Sequence, residues 1–369
     1  MEHALRLARR GYGATSPNPM VGALVVKAGR VIGRGWHHRA GEPHGEIEAL
    51  DDARKKGTNV RGATLYVTLE PCSTHGRTPP CTQAIIAAGI RKVVVGATDP
   101  NPSHAGKGFD VLKRAGIAVT HGVLAEECER LNEAFNHWIV HRTPFVTVKA
   151  AMTLDGKIAT AAGESKWITG EKARAYGMKL RQGNDAILVG VNTILADDPS
   201  LTVRGGRSQK RLRRIILDSM AKTPLTAKVV CDEDAVLTTI VVGPRAPKTK
   251  VSALAQRVEV LNAPREVGAR GTPLIPLAWL LKELGRREIL GLLVEGGGEV
   301  NASFLLQRHT HRVAFFFAPK ILGGRASRPA VAGDGVASLA DAPRLRDVEW
   351  LRLGDDLLLN ARCDQERGL

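Results

Sequence analysis

Short continuous apolar runs, each of strand length and separated by helical patterns, are the strongest indication of the fold class of this chain. DAILVG (185–190), RRIILD (213–218) and LTTIVVG (237–243) each contain three or four consecutive apolar residues rather than apolar residues at alternate positions. Strands covered on both faces have this character, and strands that alternate with helices belong to α/β architectures. Because VGALVV (21–26) and RKVVVGATD (91–99) begin the same alternation earlier, we expect two α/β units.

A domain boundary is predicted at Thr143-Pro144, just before the apolar strand FVTVKAAM (145–152). The residue before a proline is driven out of the helical region, so a preceding helix must end there. The chain has 369 residues, which suits two or three domains of ordinary size. We therefore divide it into a first domain, 1–143, and a second, 144–369.

Two local predictions within the first domain depend on turn and helix signals. VGALVV (21–26) and RVIGRGW (30–36) are expected to pair as a hairpin across Gly29. The periodic segment from Glu126 to about His141 is expected to form one continuous helix that leads into the boundary.

The chain is strongly basic, which raises nucleic acid as a partner. It has 53 Lys and Arg against 37 Asp and Glu, a net charge of +16. The densest cluster runs from Arg204 to Arg214 in a stretch with Gly, Ser and Gln, and we interpret it as a solvated loop. Aromatic residues make up only 4%, which leaves few platforms for stacking bases. We therefore expect no nucleic-acid partner.

Location is predicted from what the sequence lacks. No window approaches about 18 uninterrupted apolar residues, and no apolar segment follows the arginines of the N-terminus. The cysteines are odd in number and sparse, unlike a disulfide framework. We expect a cytoplasmic protein with no membrane partner. The chain has five cysteines, Cys72, Cys81, Cys128, Cys231 and Cys363, and we interpret the last three as packing residues.

A histidine and two cysteines have the spacing of a catalytic zinc site. His44-Gly45-Glu46 opens a predicted helix, Pro71-Cys72 follows a strand, and Cys81 begins the next helix. Three nitrogen and sulfur ligands leave one zinc position for water, whose pKa the metal lowers. Glu46 is close enough to move a proton between that water and a leaving amine without being a ligand. This is the chemistry of a hydrolytic deaminase.

The loop between the two cysteines carries further information. Deaminases of nucleic acids end their signature in Pro-Cys-x-x-Cys, whereas here eight residues separate the cysteines in PCSTHGRTPPC (71–81). Together with SPNPMVGALVV (16–26) and GEPHGE (41–46), this loop resembles the deaminase domain of the bifunctional riboflavin-biosynthesis deaminase/reductases. The resemblance implies a cytidine-deaminase-like α/β/α sandwich that removes an amino group from a phosphoribosylated diaminopyrimidinone.

The same resemblance implies roles for individual residues. His44, Cys72 and Cys81 correspond to the zinc ligands and Glu46 to the proton shuttle. Asn18 and His37 correspond to pyrimidine contacts and Arg77 to a contact with the substrate phosphate, although Asn18 is also explained as a turn residue between prolines. Two positions depart from the family pattern: Gly45 stands where Ala is common, and Thr74 where His is common, so a substrate contact is lost unless His75 replaces it.

Four stretches of the second half resemble the reductase domain of the same family: KAAMTLDGKIAT (149–160), GESKWITG (163–170), NTILADDPSLTVR (192–204) and VEGGGEVNASF (294–304). The glycine turn before a helix is suited to an anion, but a tight structural turn explains it equally well. The resemblance implies a dihydrofolate-reductase-like fold and NADPH, which would reduce the ribosyl group of the deaminated product by hydride delivery to C1′.

Matched positions in this half fall into three groups. Lys149 and Asp197 correspond to residues at the reacting ribose, although Asp197 before Asp198-Pro199 also fits a simple Asx turn. Substrate contacts correspond to Ser165, Arg181, Leu201, Arg204 and Glu295, of which Ser165, Arg181 and Arg204 hold the 5′-phosphate. The NADPH side corresponds to Ala151, Trp167, Thr193, Asp197, Gly297, Gly298, Glu299, Val300, Asn301, Ala302 and Ser303.

Three classes of function remain open from the sequence. The first is a bifunctional metabolic enzyme that binds zinc and NADPH, acts on a small phosphoribosyl-pyrimidine, and is compatible with a homo-oligomer. The second is an RNA deaminase whose second domain binds RNA, which the long cysteine spacing disfavours. The third is a non-catalytic zinc module, which gives no reason for an open coordination position beside Glu46.

Overall fold

The computed structural model describes residues 1–75, 79–204, 210–267 and 273–364. The chain divides into two compact units, Met1–Arg142 and Thr143–Leu369. No helix among the described residues has both the length and the apolar character that a bilayer span requires.

The first unit is built around a five-stranded sheet of order β2-β1-β3-β4-β5. β1 pairs antiparallel with β2 and β3, while β3, β4 and β5 are parallel. Its elements are α1 (Glu2–Ala8), β1 (Gly22–Lys27), β2 (Arg30–Trp36), α2 (Gly45–Lys55), β3 (Thr64–Leu69), α3 (Cys81–Ala87), β4 (Lys92–Ala97), α4 (Lys107–Arg114), β5 (Ala118–Thr120), α5 (Ala125–Leu131) and α6 (Glu133–His141).

The predicted hairpin is confirmed, and its glycines show why it lies where it does. Gly29 has φ +74°, a left-handed conformation that suits a residue without a side chain. In β2, a Cβ on Gly35 would lie 2.3 Å from Ala49 N and 2.4 Å from Gly45 O. The strand thus allows α2 to approach its backbone closely, which fixes the first turn of that helix over the sheet.

The continuous helix predicted from Glu126 to about His141 is wrong. The structure has two helices, α5 and α6, that meet at Asn132 with φ −117°. The Asn132 side chain accepts a hydrogen bond from Met20 N–H (2.8 Å) and donates one to Met20 O (2.9 Å). The break between the two helices thus coincides with hydrogen bonds to a residue 112 positions earlier in the chain. The local sequence pattern does not predict this break.

The second unit contains a nine-stranded sheet of order β11-β10-β9-β8-β14-β6-β15-β18-β17. It is parallel from β11 to β15, and β18 and β17 extend it antiparallel. Its elements are β6 (Phe145–Thr153), β7 (Lys157–Ala159), α7 (Glu171–Gly183), β8 (Ala186–Gly190), α8 (Val191–Asp197), β9 (Arg213–Leu217), α9 (Lys228–Cys231), β10 (Thr238–Val242), α10 (Lys248–Ala255), β11 (Glu259–Asn262), β12 (Glu266–Val267), β13 (Pro273–Leu274), α11 (Leu277–Arg286), β14 (Gly291–Val294), α12 (Gly298–Leu306), β15 (Arg312–Ala318), β16 (Arg328–Pro329), β17 (Leu345–Leu353) and β18 (Asp356–Cys363).

The continuous apolar strands are covered on both faces, as predicted. In β8, Ala186 and Leu188 belong to one buried cluster while Ile187 and Val189 belong to another. Alternate side chains of one strand point to opposite faces of its sheet. The two clusters are therefore the two hydrophobic cores, one on each face of the sheet, that an α/β fold requires. The helices α1 and α8 and the β17–β18 hairpin were not predicted.

Candidate active sites

The first unit brings the three predicted zinc ligands to one point. His44 is the N-cap of α2, Cys72 follows β3, and Cys81 is the first residue of α3. His44 Nδ1 lies 3.6 Å from Cys72 Sγ and 3.3 Å from Cys81 Sγ. The three donor atoms lie within 4.8 Å of one another. One imidazole and two thiols at this spacing form a donor set that suits zinc.

Glu46 lies beside these donors in the first turn of α2. Its side chain is buried, and Oε2 has no hydrogen-bond partner among the described residues. Burial raises the pKa of this carboxyl to about 7. A buried carboxylate oxygen is costly to leave unpaired. The unused oxygen fits a site that holds a metal ion and its water.

The two thiols differ in their tendency to ionise. A hydrogen bond with Cys81, and to a smaller extent His44, lowers the pKa of Cys72 to about 4 against the opposing effect of burial. Pairing with Cys72 and burial together raise the pKa of Cys81. Cys72 is therefore favoured as a thiolate, the form of cysteine that binds metals.

Asn18 and His37, the predicted pyrimidine contacts, lie in contact with each other. His37 is buried, and its Nδ1 lies 3.0 Å from Pro43 O. Since a carbonyl only accepts, Nδ1 carries the proton and Nε2 accepts from Asn18 Nδ2 at 3.1 Å. Burial lowers the pKa of His37, in agreement with this neutral form. His37 thus orients the Asn18 carboxamide.

A buried carboxylate that was not predicted from the sequence, Glu70, holds a loop near the cysteines. Glu70 accepts hydrogen bonds from the backbone N–H groups of Asp99 (3.1 Å), Gly106 (3.0 Å) and Gly108 (2.8 Å). The loop that Glu70 holds brings His104 Nδ1 to 3.4 Å from Thr74 Oγ1. Glu70 directly precedes Pro71-Cys72, which is the only local signal in the sequence.

Three positions singled out in the sequence, in the cysteine loop and at the start of α2, have different outcomes. Arg77, the predicted phosphate contact, lies outside the described residues. Gly45 has a structural reason, because a Cβ there would lie 2.8 Å from Val21 O. Thr74, which stands where a histidine is common, has its Oγ1 3.4 Å from His104 Nδ1, and its neighbour His75 is exposed.

In the second unit, a cavity of about 530 Å³ gathers predicted residues from both the substrate and the cofactor groups. Its lining includes Lys149, Ala151, Ser165, Trp167, Arg181, Asp197, Arg204 and Glu295. These side chains come from β6, α7, α8 and the segments that follow β7, α8 and β14. Residues that are up to 146 positions apart in the chain, Lys149 and Glu295, therefore share one cavity.

Three charged side chains of this cavity form one network. Glu295 accepts hydrogen bonds from Arg181 Nε and Nη2, both at 2.9 Å, and its Oε2 lies 3.7 Å from Lys149 Nζ. Burial opposes ionisation of Glu295, but Lys149 and Arg181 outweigh it and hold its pKa at about 2. Arg181 Nη1 also donates to Thr202 O at 2.9 Å. The arginine is therefore committed to protein partners.

A second cleft, of about 780 Å³, gathers the glycine turn and the helix α8. Thr193, Gly297, Gly298, Glu299 and Val300 line it. Ile158, Ser165 and Asp197 line both this cleft and the 530 Å³ cavity. Molecules bound in the two spaces would meet at these shared residues.

The glycines of the turn are needed for close contacts. A Cβ on Gly296 would lie 2.5 Å from Val300 Cβ, and one on Gly298 would lie 2.4 Å from Pro329 O. The other predicted cofactor residues of α12 do not line the cleft. Asn301 donates to Ala330 O at 2.8 Å, and Ser303 donates to Glu299 O at 2.8 Å. Ala302 is buried.

Three further predicted residues have structural roles in the second unit. Asp197 Oδ1 lies 3.2 Å from Lys166 Nζ, so the two residues form an ion pair at the cavity edge. Leu201 is buried in the core and has φ +54°, and it lines neither space. Trp167 is largely exposed, with the Arg174 guanidinium 4.8 Å from its ring centroid.

The interpretation of the basic cluster as a solvated loop is wrong for Lys210 and Arg214, while residues 205–209 of the cluster lie outside the described residues. Arg214 lies in β9, is 1% exposed, and forms a bidentate ion pair with Asp232 at 2.7 Å. Lys210 is half-buried and pairs with Asp185 at 3.3 Å. The partners lie on other segments, and the local composition does not reveal them.

The remaining cysteines follow the packing interpretation in two cases. Cys128 and Cys363 are buried in the cores of the first and second units. Cys231 is exposed, with its thiol 3.5 Å from Thr226 O, so its assignment as a packing residue is wrong.

Comparison with known proteins identifies both units. Residues 144–359 match the RibD C-terminal domain, and residues 1–97 match the cytidine and deoxycytidylate deaminase zinc-binding region. The riboflavin biosynthesis protein RibD of Aquifex aeolicus is 44% identical over 360 residues, which cover 97% of this chain and 96% of the relative. The Escherichia coli RibD is 38% identical over 368 residues, with 98% and 97% covered.

Solved structures agree over the same length. Acinetobacter baumannii RibD superposes with a TM-score of 0.86 at 35% identity, covering 98% of this chain and 97% of that one. A Thermotoga maritima protein, described as a diaminohydroxyphosphoribosylaminopyrimidine deaminase/5-amino-6-(5-phosphoribosylamino)uracil reductase, gives 0.83 at 37% identity, with 99% and 97% covered.

A zinc-type deaminase unit joined to an α/β reductase unit defines the class as a bifunctional deaminase and reductase. Both units are enzymatic, and the two-domain α/β fold agrees with that of the solved relatives. The chain belongs to the RibD family of riboflavin biosynthesis. The alternative of an RNA deaminase is not favoured, because the relatives match over both units.

Proposed function

We propose that the first unit deaminates a 2,5-diamino-6-ribosylamino-pyrimidinone 5′-phosphate and that the second unit reduces the ribosyl group of the product to a ribityl group. The name of the Thermotoga maritima relative supports this pair of reactions. The cofactors proposed are Zn²⁺ for the first unit and NADPH for the second. The observation that carries the deaminase assignment is the unpartnered, buried Oε2 of Glu46 beside His44, Cys72 and Cys81.

In the first reaction, His44, Cys72 and Cys81 would hold the metal. A zinc ion with three protein ligands lowers the pKa of a water in its fourth position and thereby supplies a nucleophile near neutral pH. Glu46 accepts a proton from the attacking water and returns it to the leaving amine. Asn18, oriented by His37, binds the pyrimidine edge with the oxygen that does not face the imidazole.

In the second reaction, the glycine turn and α8 would hold NADPH, which supplies the hydride. The product of deamination enters the neighbouring cavity, so that C1′ of its ring-opened imine lies at the wall formed by Ser165 and Asp197. Lys149 Nζ, which pairs with Glu295 Oε2 at 3.7 Å, offers a proton near the reacting ribose. Hydride at carbon and a proton at nitrogen complete the reduction.

Arg204 and Ser165 are proposed to bind the 5′-phosphate. A guanidinium meets a phosphate through two parallel hydrogen bonds. Arg181, also expected to bind phosphate, is instead proposed to position Glu295, because the carboxylate and Thr202 O engage its donors.

The location and partners are also proposals. We place the enzyme in the cytoplasm, because all five of its cysteines are free in the structure and none is needed for a disulfide framework. The partner of each unit is a small molecule rather than a nucleic acid, and a homo-oligomer remains compatible with the sequence.

One experiment tests the whole proposal. The full-length protein is supplied with the diaminopyrimidinone phosphate, with and without NADPH, and the products are identified by mass. We expect the product to have oxygen in place of an amino group whether or not NADPH is present. It should gain two further hydrogens only when NADPH is present. Recovery of unchanged substrate from the zinc-loaded protein would contradict the deaminase assignment, and a product without those hydrogens would contradict the reductase assignment.

A further inference from the structure

We propose that Arg214 is a positioning residue for the substrate cavity of the second unit. It fixes the loop of residues 198–204, and through that loop it places Arg204 at the cavity wall. The inference rests on the proposed function only in the role given to Arg204. The placement of the loop itself is independent of any substrate.

Every donor of the Arg214 guanidinium has a partner. Nε donates to Thr238 Oγ1 at 2.9 Å, Nη1 to Asp232 Oδ2 at 2.7 Å, and Nη2 to Asp232 Oδ1 at 2.7 Å. Nη2 also reaches Val229 O at 3.2 Å, and Nη1 reaches Ser200 O at 3.1 Å. Four of these contacts hold the arginine to α9, β10 and the turn between them. The fifth reaches the loop.

The loop is held at alternate carbonyls by two arginines. Arg214 binds Ser200 O, and Arg181 binds Thr202 O at 2.9 Å. Between these carbonyls, Leu201 is buried in the core and has φ +54°. A branched side chain disfavours that left-handed conformation, so the surrounding contacts must maintain it. The Leu201 anchor and the two arginine contacts together supply that constraint.

The held segment ends at the cavity. Arg204 lines the cavity two residues after Thr202. Arg181 holds both Thr202 O and Glu295, so movement of the loop would disturb the carboxylate as well. A displacement of the order of 1 Å at a binding group is enough to cost about a hundredfold in rate. A buried contact behind the loop is therefore able to set substrate affinity without touching the substrate.

The test compares Arg214→Lys with Thr238→Val in the full-length protein. The lysine retains a positive charge for Asp232 but lacks the fork that reaches Ser200 O. The valine removes the hydroxyl that accepts from Arg214 Nε at a fully buried position, and it leaves the contact with Ser200 O in place. Thr238→Val also removes the hydrogen bond that Thr238 Oγ1 donates to Val229 O at 2.7 Å. Each variant therefore loses more than one buried hydrogen bond, and a purely structural role predicts similar effects in both.

Two measurements decide the outcome. Amide hydrogen exchange, followed by mass spectrometry, should become faster in the peptide that spans 198–204 in Arg214→Lys and stay at the wild-type rate there in Thr238→Val. The KM of the reductase for the deaminated phosphoribosyl substrate should rise about tenfold in Arg214→Lys. This is the value of one charged hydrogen bond, here the proposed bond between Arg204 and the substrate phosphate. We expect kcat to be unchanged in Thr238→Val. In Arg214→Lys it should fall by less than KM rises, because the loop reaches Glu295 only through Arg181. Wild-type exchange in the loop of Arg214→Lys, or equal KM values in the two variants, would overturn the proposal.

A further variant keeps the proposal testable where Arg214→Lys does not fold. Replacing Leu201 by its α-hydroxy acid turns the Ser200 carbonyl into an ester, which accepts hydrogen bonds less well and leaves Arg214 intact. Faster exchange of the loop in this variant is expected, and unchanged exchange contradicts the proposal. If the wild-type protein reduces no phosphoribosyl substrate, the proposed function fails, whereas the exchange comparison still decides whether Arg214 holds the loop.

Discussion

Replacing Glu295 by glutamine removes the negative charge that pairs with two largely buried cations, Lys149 and Arg181. Arg181 Nε lies 2.9 Å and Lys149 Nζ 3.7 Å from its oxygens. The Glu295 and Arg181 side chains are only 13% and 11% exposed, so solvent compensates little for the lost charge. Breaking a buried pair by removing one partner costs about 3–5 kcal/mol of unfolding free energy.

The pKa of Glu295 gives a second route to this magnitude. Its folded value of about 2, against 4.5 for the unperturbed group, corresponds to about 3 kcal/mol at 1.36 kcal/mol per unit. The folded pKa is depressed, so this stabilisation is fully present above about pH 4.5 and is lost as the pH falls through about 2. Glutamine does not titrate. The deficit of Glu295→Gln should therefore be about 3 kcal/mol at neutral pH and less than half of that near pH 3.

Urea unfolding at several pH values measures the deficit. Glu299→Gln is the matched control, because Glu299 lies four residues later and is exposed. The two units can unfold in separate transitions, so the free energy is taken from the transition that Glu295→Gln displaces. A deficit below about 1 kcal/mol at neutral pH, or one that does not change with pH, would refute the ionised carboxylate between two cations.

Three further predictions concern single side chains. Glu46→Gln should retain the metal, measured by elemental analysis, and lose deaminase rate by at least 10²–10⁴-fold; full activity would remove Glu46 from the mechanism. Arg204→Ala should lower reductase kcat/KM about ten- to a hundredfold while deamination by the same protein is unchanged, and an unchanged reductase would exclude the phosphate contact. Asn132→Ala should lower the free energy of unfolding of the first unit by about 1–3 kcal/mol, because two backbone groups of Met20 lose their partner; a thermal midpoint equal to that of the wild type would contradict this.

The sequence predicted most reliably where chemistry or packing is local. The apolar strands, the turn at Gly29 and the spacing of His44, Cys72 and Cys81 all depend on short segments with strong signals. In the structure the donor atoms of those three side chains lie within 4.8 Å of one another, a distance that no sequence pattern gives.

Prediction failed where a polar side chain finds its partner far along the chain. Asn132 is associated with a break between two helices through Met20, and Glu70 holds a loop through backbone groups some 30 residues later. Arg214 resembles its solvated neighbours in sequence and differs only because Asp232 and Thr238 surround it. Such pairs are set by the tertiary structure, and composition carries no trace of them.

The three proposed metal donors lie on different parts of the first unit, at the starts of α2 and α3 and just after β3. If they bind zinc as proposed, folding of this unit would depend on metal supply. His44 and Cys81 are 37 residues apart, and an ion bound between them would close that part of the chain. A ligand that binds only the folded state stabilises it by RT ln(1 + [L]/Kd), or about 2.7 kcal/mol at a hundredfold excess over Kd. Chelators should therefore lower the thermal midpoint of this unit step by step with the free metal concentration. In a cell short of zinc, the enzyme would be lost through unfolding and proteolysis as well as through an empty catalytic centre.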